Sequence, residues 1–194
     1  MKCRKCDNKA VINMRQHKLA LCKDHYLEWI LFQTERAIKK YRMFGRDAHI
    51  LVAVSGGKDS LSLWDVLWQL GYSVDGLYIQ LGIEEGYSIK SEQLCANFAE
   101  NRQLNLQVID LAKEFGETVI GMSQRSQRSK NKPCSVCGMV KRYLMNKAAL
   151  SGGYDVVVTG HNLDDEAAVL LGNTIHWSQD LLPRQSPVLE DTEG

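Results

Sequence analysis

Long apolar runs are missing from this sequence. Nowhere in its 194 residues do the roughly 18 consecutive apolar residues occur that a membrane-spanning helix requires. The first residues, MKCRKC, also lack the apolar segment of a secretory signal peptide. We therefore expect a cytoplasmic protein that does not enter a membrane.

Proline is scarce, with three in the chain, and neither an internal repeat nor a low-complexity tract occurs. No obvious linker therefore separates large domains. With 194 residues, of which 44% are hydrophobic, the chain can bury a full core, so we expect one main domain with a small appendage. Six cysteines in a reducing compartment indicate metal or sulfur chemistry and not disulfides.

Acidic residues are scarce at the amino-terminal end, although the net charge of the whole chain is only +1. Residues 1–49 hold 12 Lys and Arg against 5 Asp and Glu, while residues 50–194 hold 12 against 18. A basic amino-terminal quarter is typical of a surface that contacts nucleic-acid phosphates.

Short apolar runs alternate with helical patterns along the rest of the chain. We predict strands at 50–54, 74–81, 105–109 and 155–159. We predict helices near 59–70, 88–102, 111–122, 135–150 and 163–174, after an amphipathic connecting helix over about 27–41. This alternation predicts an α/β protein with a parallel sheet covered on both faces, and ligand sites beyond the carboxyl ends of its strands.

The stretch ILVAVSGGKDSLSLW, residues 50–64, is similar to a phosphate-binding P-loop without matching one. A P-loop needs Gly, four residues, then Gly-Lys-Ser/Thr, but Gly57-Lys58 is followed by Asp59, and Val52 stands at the first glycine position. Two glycines and the amides of a helix amino terminus still suit an oxyanion. The alternative is an ordinary strand-to-helix turn capped by Asp59. We call residues 55–60 the glycine loop.

A second stretch, VVVTGHNLDDEAAVLL at 156–171, has the same order of strand, glycine turn and helix. Three acidic residues and a histidine stand near the helix start, namely His161, Asp164, Asp165 and Glu166. Acidic side chains there can simply complement the helix dipole. Beside a predicted nucleotide site they favour a functional role. We call residues 160–166 the acid segment.

Four metal-ligating residues occur near the amino terminus as Cys3-x2-Cys6, fifteen residues, and Cys22-x2-His25. This spacing is typical of a tetrahedral structural zinc site. Few large apolar residues lie between the two pairs, so zinc binding would have to supply folding free energy. We call residues 1–26 the finger. Its basic residues would contact phosphates: Lys2, Arg4, Lys5, Lys9, Arg15, Lys18 and Lys23.

A second pair, Cys134-x2-Cys137, has no further pair to complete a zinc tetrahedron. Residues 121–150 contain seven Lys and Arg and no Asp or Glu, and such surroundings favour thiolates. A thioredoxin-like redox pair is one interpretation, and an iron-sulfur or sulfur-relay site is the one we favour. Lys141, one helical turn after Cys137, would share its helix face. Cys95, alone on a predicted helix, is most simply a buried small hydrophobic residue.

The string SGGKDS resembles the PP-loop of the ATP pyrophosphatases, and GHNLDDEA resembles the second signature of tRNA-modifying PP-loop enzymes. Together with the finger and PCSVCG, in this order, they resemble the TtuA/TtcA family of tRNA 2-thiolation enzymes, and the finger favours the TtuA-like branch. The implied fold is a Rossmann-like, doubly wound α/β sheet of the PP-loop (HUP) type with a small N-terminal zinc finger. The implied domains are the finger (1–26), a helical connector (27–48) and the PP-loop ATP-pyrophosphatase domain (49–194).

The resemblance also implies site residues and cofactors. ATP, with Mg²⁺, would contact Ala53, Ser55, Gly56, Gly57, Lys58, Asp59, Ser60, Ile79, Lys141, Gly160 and Asp165. Ala53 and Ile79 would contact adenine through their backbones only, since core packing accounts for their side chains. The catalytic set would be Asp59, Lys141, Asp165, Cys134 and Cys137. The zinc ligands would be Cys3, Cys6, Cys22 and His25.

The reaction implied is adenylation of the C2 oxygen of a tRNA uridine by ATP, followed by displacement of AMP by sulfur to give 2-thiouridine, in the T-loop in preference to the anticodon loop. In this family a 4Fe-4S cluster held by three cysteines carries the sulfur. A ubiquitin-like carrier protein with a C-terminal thiocarboxylate commonly delivers it. The expected partners are therefore tRNA and this carrier, and whether the chain also forms a homodimer stays open.

The sequence departs from the family at one point that concerns the cluster. Cys134 and Cys137 match two of its ligands, but no cysteine follows Cys137, so a third ligand is missing and we expect a stable cluster to be lost. The family also continues into a C-terminal segment, so we expect a shortened or divergent member. Two other functions stay open: another PP-loop reaction, such as lysidine synthesis or amidation of a small acid, and a non-catalytic zinc-finger RNA-binding protein.

Overall fold

The computed structural model of the chain describes residues 1–83, 85–125 and 133–189. Most of the basic stretch before Cys134 lies outside these residues. The chain forms two compact units, Met1–Phe44 and Gly45–Gly194. Among the described residues, no helix combines the length and apolar character that crossing a bilayer demands.

The first unit contains a small hairpin and one long helix. Strands β1 (Ile12–Met14) and β2 (Leu19–Leu21) pair antiparallel, joined by a 3-10 turn at Arg15–His17. Helix α1 spans Lys23–Tyr41. It begins four residues earlier than the predicted connecting helix, so His25 lies in its first turn and Cys22 is its N-cap residue.

The second unit alternates strands and helices as predicted. Its strands are β3 (His49–Val54), β4 (Ser73–Gln80), β5 (Leu106–Asp110) and β6 (Val156–Thr159). The helices in its described part are α2 (Lys58–Gln69), α3 (Glu85–Arg102), α4 (Leu111–Phe115), α5 (Val119–Arg125), α6 (Pro133–Gly152) and α7 (Leu163–Ile175), followed by a 3-10 helix at Gln179–Gln185. The four strands lie within two residues of their predicted bounds. Strands β3 and β6 are apolar, β-branched runs, whereas β4 and β5 also contain polar residues.

All four strands are parallel, in the order β5-β4-β3-β6, which confirms the predicted sheet. The chain goes from β3 to β4 on one side, whereas β6 returns to the other side of β3. This reversal leaves a crevice at the carboxyl ends of β3 and β6, where open α/β sheets bind ligands. The glycine loop follows β3 and the acid segment follows β6, so both border that crevice.

The two faces of the sheet are covered by different helices. On one face Leu51 and Leu77 pack against Ala148 and Ala149 of α6. On the other, a Cβ at Gly76 would overlap the indole of the fully buried Trp64. Only glycine therefore lets α2 lie this close to β4.

The single helix predicted over 111–122 is wrong, since two helices occupy this segment. Helix α4 ends at Gly116, which adopts the left-handed conformation with φ of +72° that favours glycine. The backbone N–H of Val119 then donates to the carbonyl of Leu81 at 3.1 Å. This tertiary contact starts α5 in a new direction, which local periodicity could not reveal.

Candidate functional site

The glycine loop is closed by Ser60, whose side chain is buried at its base. The hydroxyl of Ser60 accepts a hydrogen bond from the N–H of Ser55 at 3.1 Å and donates to the carbonyl of Gly57 at 3.1 Å. No side chain of the described residues caps the amino terminus of α2, so its first N–H groups can bind an anion. The sequence-predicted phosphate site is thus a preformed turn with free amides.

Glycine is required at two points where the loop meets neighbouring backbone. Gly56 has φ of +76°, and a Cβ there would lie 2.6 Å from the carbonyl oxygen of Ser91. A Cβ on Gly160 would lie 2.9 Å from Cα of Ser60 and 3.0 Å from the carbonyl oxygen of Asp59. The acid segment therefore contacts the backbone of the glycine loop directly.

The close contact at Gly160 leads to a stability prediction with a matched control. Gly160→Ala is expected to lower the free energy of unfolding by about 1–3 kcal/mol, because backbone atoms must move to admit the methyl group. Gly172→Ala, in α7 with open space around it, should instead be neutral or stabilising, since alanine favours a helix by up to about 1 kcal/mol. Chemical denaturation of both variants tests this. An equal effect in both would contradict the proposed clash.

Asp59 lies where the two segments meet. Lys58 Nζ donates to both carboxylate oxygens of Asp59, at 2.8 and 2.9 Å, and Asn162 Nδ2 donates to one of them at 3.3 Å. The hydrogen bond from Lys58 is the main reason that the pKa of Asp59 falls below its ordinary value. The same bond raises the pKa of Lys58. Asp59 is therefore a carboxylate at neutral pH, available to a cation.

Asp165 has a structural contact that accounts for its position. Asn162 and Asp165 form a capping box at the start of α7: Asn162 Oδ1 accepts from the N–H of Asp165 at 3.0 Å, and Asp165 Oδ2 accepts from the N–H of Asn162 at 3.2 Å. Asp165 also lies near enough to Lys58 to help raise the pKa of that amine. Asp165 therefore caps α7 and also lies near Lys58 of the glycine loop.

The remaining nucleotide-site candidates lie on the face of the sheet that α6 covers. Ile79 packs against the cores formed around Leu111 and Leu77, so core packing does account for its side chain. Ala53, half-buried, is the penultimate residue of β3. Lys141 is exposed on α6, one turn after Cys137.

The second cysteine pair occupies the first turns of α6. Cys134 is exposed, whereas Cys137 is half-buried and packs against the core formed by Leu81, Leu111, Val119, Val136 and Leu144. Helix α6 leads directly into β6, so its amino-terminal end lies at the sheet edge where the strands end and the glycine loop begins. These two thiols do not complete the three-cysteine ligand set of a 4Fe-4S cluster, so the residues of this chain do not fit that cofactor by themselves.

The four finger residues form a compact ligand set. The ligand atoms of Cys3, Cys6, Cys22 and His25 all lie within 4.8 Å of one another. The Sγ atoms of Cys6 and Cys22 are 3.8 Å apart, which matches the edge of a tetrahedron with Zn–S bonds of about 2.3 Å. Nδ1 of His25 lies 3.3 Å from Cys22 Sγ and 3.5 Å from Cys3 Sγ. The arrangement therefore fits a tetrahedral metal ion.

The thiols of the finger also differ in acidity. Burial raises the pKa of Cys3, but hydrogen bonds from the backbone of Cys22 and Lys5 outweigh it and lower the pKa to about 6. The backbone of Asn8 lowers the pKa of Cys6, yet burial and the neighbouring thiols outweigh it, so that pKa is raised. Adjacent thiolates repel one another, and a bound cation would remove that repulsion.

Sequence reasoning missed Asn162, which both caps α7 and donates to Asp59. An asparagine just before a helix with acidic residues in its first turn is an N-cap signal, so the capping role could have been predicted from the sequence.

Sequence reasoning also missed Tyr78 and Ser91, whose buried hydroxyl groups lie 2.7 Å apart under the glycine loop. Cys95 is fully buried, as expected of a small core residue.

Two family descriptions match the chain: "2-thiouridine synthetase TtuA, N-terminal LIM domain" over residues 2–27 and "PP-loop domain" over residues 30–173. The second match covers most of the chain, which therefore belongs to the PP-loop family. The chain is similar to two proteins named tRNA-5-methyluridine(54) 2-sulfurtransferase. It is 49% identical over 194 residues to that of Thermus thermophilus, covering 100% of this chain and 59% of the relative. With the Thermotoga maritima protein, identity is 48% over 192 residues, covering 99% and 62%.

The chain thus spans about three fifths of the length of these two relatives. Its fold is similar to that of a solved structure, "U34-tRNA thiolase NcsA from Methanococcus maripaludis with its [4Fe-4S] cluster", with a TM-score of 0.78, 23% identity, and coverage of 99% of this chain and 63% of that one. This likeness shows the fold. The match to the TtuA N-terminal domain and the identity to the two sulfurtransferases confirm the resemblance to the TtuA/TtcA family.

Proposed function

We propose that this chain carries out the ATP-dependent part of tRNA 2-thiolation: adenylation of the C2 oxygen of a T-loop uridine, followed by sulfur transfer that gives 2-thiouridine. The observation that carries the proposal is the meeting of Lys58, Asp59 and Asn162 at the sheet crevice, beside free helix amides. Two relatives named as sulfurtransferases for position 54 support the same reaction and the T-loop as its place.

The chemistry divides into two displacement steps. The uridine O2 attacks the α-phosphorus of ATP, and the bond from that phosphorus to the bridging oxygen breaks, so pyrophosphate leaves. A sulfur nucleophile then adds at C2, and the C2–O bond breaks, releasing AMP that carries the former uridine oxygen. Adenylation is needed because the oxygen of a pyrimidine carbonyl is otherwise a poor leaving group.

The glycine loop would hold the pyrophosphate through the N–H groups at the start of α2 and through Lys58. Asp59, ionised at neutral pH, and Asp165 supply the oxygen donors that Mg²⁺ prefers, and the ion would neutralise charge that develops on the departing phosphates. Lys141 on α6 would contact the nucleotide from the opposite side of the crevice. Ala53 and Ile79 would border the adenine through their backbones.

The finger would hold Zn²⁺ and present its basic side chains to tRNA phosphates, since residues 1–49 have an excess of Lys and Arg. The sulfur donor we propose is a carrier protein with a C-terminal thiocarboxylate, whose sulfur would attack C2 and displace AMP. The thiolate of Cys134 or Cys137, at the same end of the sheet, would then attack the carrier's acyl carbon, so that the bond from that carbon to sulfur breaks and the sulfur stays on the uridine. Water would hydrolyse the resulting thioester and restore the thiol. A homodimer in the cytoplasm, where tRNA is modified, completes the proposal.

The reaction is tested by incubating the chain with ATP, Mg²⁺ and tRNA and measuring pyrophosphate. We expect release that requires both ATP and tRNA, since adenylation precedes sulfur transfer. Mass spectrometry of the nucleosides after addition of a sulfide source should then detect 2-thiouridine. Release of pyrophosphate with a lysine or amide product would indicate another PP-loop reaction. Binding of tRNA without any pyrophosphate would indicate an RNA-binding protein with a vestigial site.

A further inference from the structure

A buried group of hydroxyls lies directly beneath the glycine loop and has no direct role in the proposed reaction. Tyr78, near the end of β4, and Ser91, on α3, bring their hydroxyl oxygens to 2.7 Å. Both hydroxyls also lie near the carbonyl oxygen of Ser88, at 3.0 Å from Tyr78 and 3.1 Å from Ser91. Tyr78, Ser88 and Ser91 are each exposed by 7% or less.

These hydroxyls tie α3 to the strand next to β3. Tyr78 is 13 positions along the chain from Ser91 and 10 from Ser88. These bonds therefore join α3 to β4, and do not merely stabilise one element. Breaking a buried hydrogen bond leaves a polar group without a partner, which is costly. The pair therefore helps to hold α3 in place against β4.

Gly56 of the glycine loop contacts α3 at Ser91, one of the two residues of this pair. The three atoms nearest to a Cβ built on Gly56 all belong to Ser91: its carbonyl oxygen at 2.6 Å and its Cα and Cβ at 2.9 Å. Gly56 has φ of +76°, so the loop takes its left-handed turn where it touches Ser91. A displacement of Ser91 would open space beneath Gly56 and loosen that turn.

Cys95, one turn further along α3, adds a second contact to the same glycine. Burial raises the pKa of this thiol to about 11, opposed by a hydrogen bond from the backbone of Gly56. Cys95 is therefore a neutral, fully buried thiol under the loop. Its role is support and not nucleophilic attack.

We propose that the Tyr78–Ser91 hydroxyl pair is a positioning device for pyrophosphate: it fixes α3 beneath Gly56 and so holds the loop amides in the geometry that binds the departing phosphates. This inference rests on the proposed function of the glycine loop. Tyr78 and Ser91 are positioning residues that act through Gly56. Their loss should impair binding of the phosphate groups and spare that of the nucleoside part.

The test compares Tyr78→Phe with Tyr154→Phe. Tyr154 also donates through its hydroxyl to a side chain on β4, Asp75 Oδ2 at 2.8 Å, but at the opposite end of the sheet. Calorimetric titrations with Mg²⁺-pyrophosphate, Mg²⁺-ATP and AMP are run on the 194-residue chain. For Tyr78→Phe we expect pyrophosphate and ATP affinity to fall by about three- to tenfold, the equivalent of one lost hydrogen bond. AMP affinity should remain that of the unaltered chain.

Tyr154→Phe should leave all three affinities unchanged, even where its thermal unfolding midpoint falls as far as that of Tyr78→Phe. Ser91→Ala removes the other hydroxyl of the same pair. The losses of pyrophosphate affinity in Tyr78→Phe and Ser91→Ala should add up to more than the loss in the double variant Tyr78→Phe/Ser91→Ala, since both single variants remove the contact between the two hydroxyls. If the unaltered chain binds pyrophosphate and neither Tyr78→Phe nor Ser91→Ala weakens it, the positioning role is wrong. If the unaltered chain binds neither ATP nor pyrophosphate, the nucleotide site itself is wrong, and the positioning role with it.

Discussion

Replacing Asp59 by asparagine is expected to abolish tRNA-dependent pyrophosphate release, with a fall of at least about 100-fold. The change keeps the shape of the side chain but removes the charge that Lys58 holds at 2.8 and 2.9 Å. Lys58 would then lose its anionic partner, and Mg²⁺ would lose a carboxylate ligand. Pyrophosphate release under saturating ATP and tRNA measures the effect, and circular dichroism confirms that the fold is kept.

Asp164→Asn is the matched control, because it removes the same charge from an exposed residue of α7 whose side chain, unlike that of Asp59, has no described contact with the glycine loop. The backbone N–H of Asp164 donates to Asn162, and the substitution leaves that contact in place. We expect Asp164→Asn to keep pyrophosphate release within about threefold, as for a surface charge that is screened by solvent. An equal loss in both variants would mean that general electrostatics and not Asp59 itself is responsible. Normal release by Asp59→Asn would overturn the active-site assignment.

The sequence was sufficient to predict the sheet because its strands depend on local composition. The run ILVAV forms most of β3, and VVVT forms β6, and a glycine follows each strand within two residues. Strand-helix alternation then favours parallel pairing, whereas the strand order, with β6 on the other side of β3, is known only from the structure. The glycine loop and the acid segment were therefore predicted to lie at one edge before any contact was known.

The hairpin of the finger could not be predicted in the same way. Strands β1 and β2 contain three residues each, too few for a period of two to be recognised. Their pairing depends on the four ligands around them and on a few buried side chains, among them Met14 and Leu21. Metal-ligand spacing predicted the site, while the backbone between the ligands remained undefined.

Contacts that join distant segments were equally out of reach. Asn162 reaches Asp59 across 103 positions of the chain, and nothing in either motif specifies that pairing. Tyr78 and Ser91 read as ordinary strand and helix residues until α3 is packed on β4. The motifs thus predict the residues of the site, but not the contacts between elements that hold those residues in place.

Replacing Cys22 by serine is expected to remove zinc from the finger and to unfold it. Cys22 is the N-cap residue of α1 and is 4% exposed, with His25 and Cys6 at 3.3 and 3.8 Å. Structural zinc sites contribute about 10–16 kcal/mol of binding free energy that is also folding free energy, whereas the apolar core of the finger is small. Metal analysis should fall from about one zinc per chain to none, and limited proteolysis should then cut within residues 1–44.

Cys134→Ser is the control for this experiment, because Cys134 is an exposed cysteine outside the finger cluster. It should retain the full zinc content and the same proteolytic pattern as the unaltered chain. The second compact unit, Gly45–Gly194, has its own core around Leu51, Leu77 and Trp64. Nucleotide binding by Cys22→Ser is therefore expected to persist while tRNA affinity falls, since the basic side chains of an unfolded finger no longer form one surface. Zinc retained by Cys22→Ser at full stoichiometry would overturn the ligand set, and tRNA affinity that survives zinc loss would separate the finger from RNA binding.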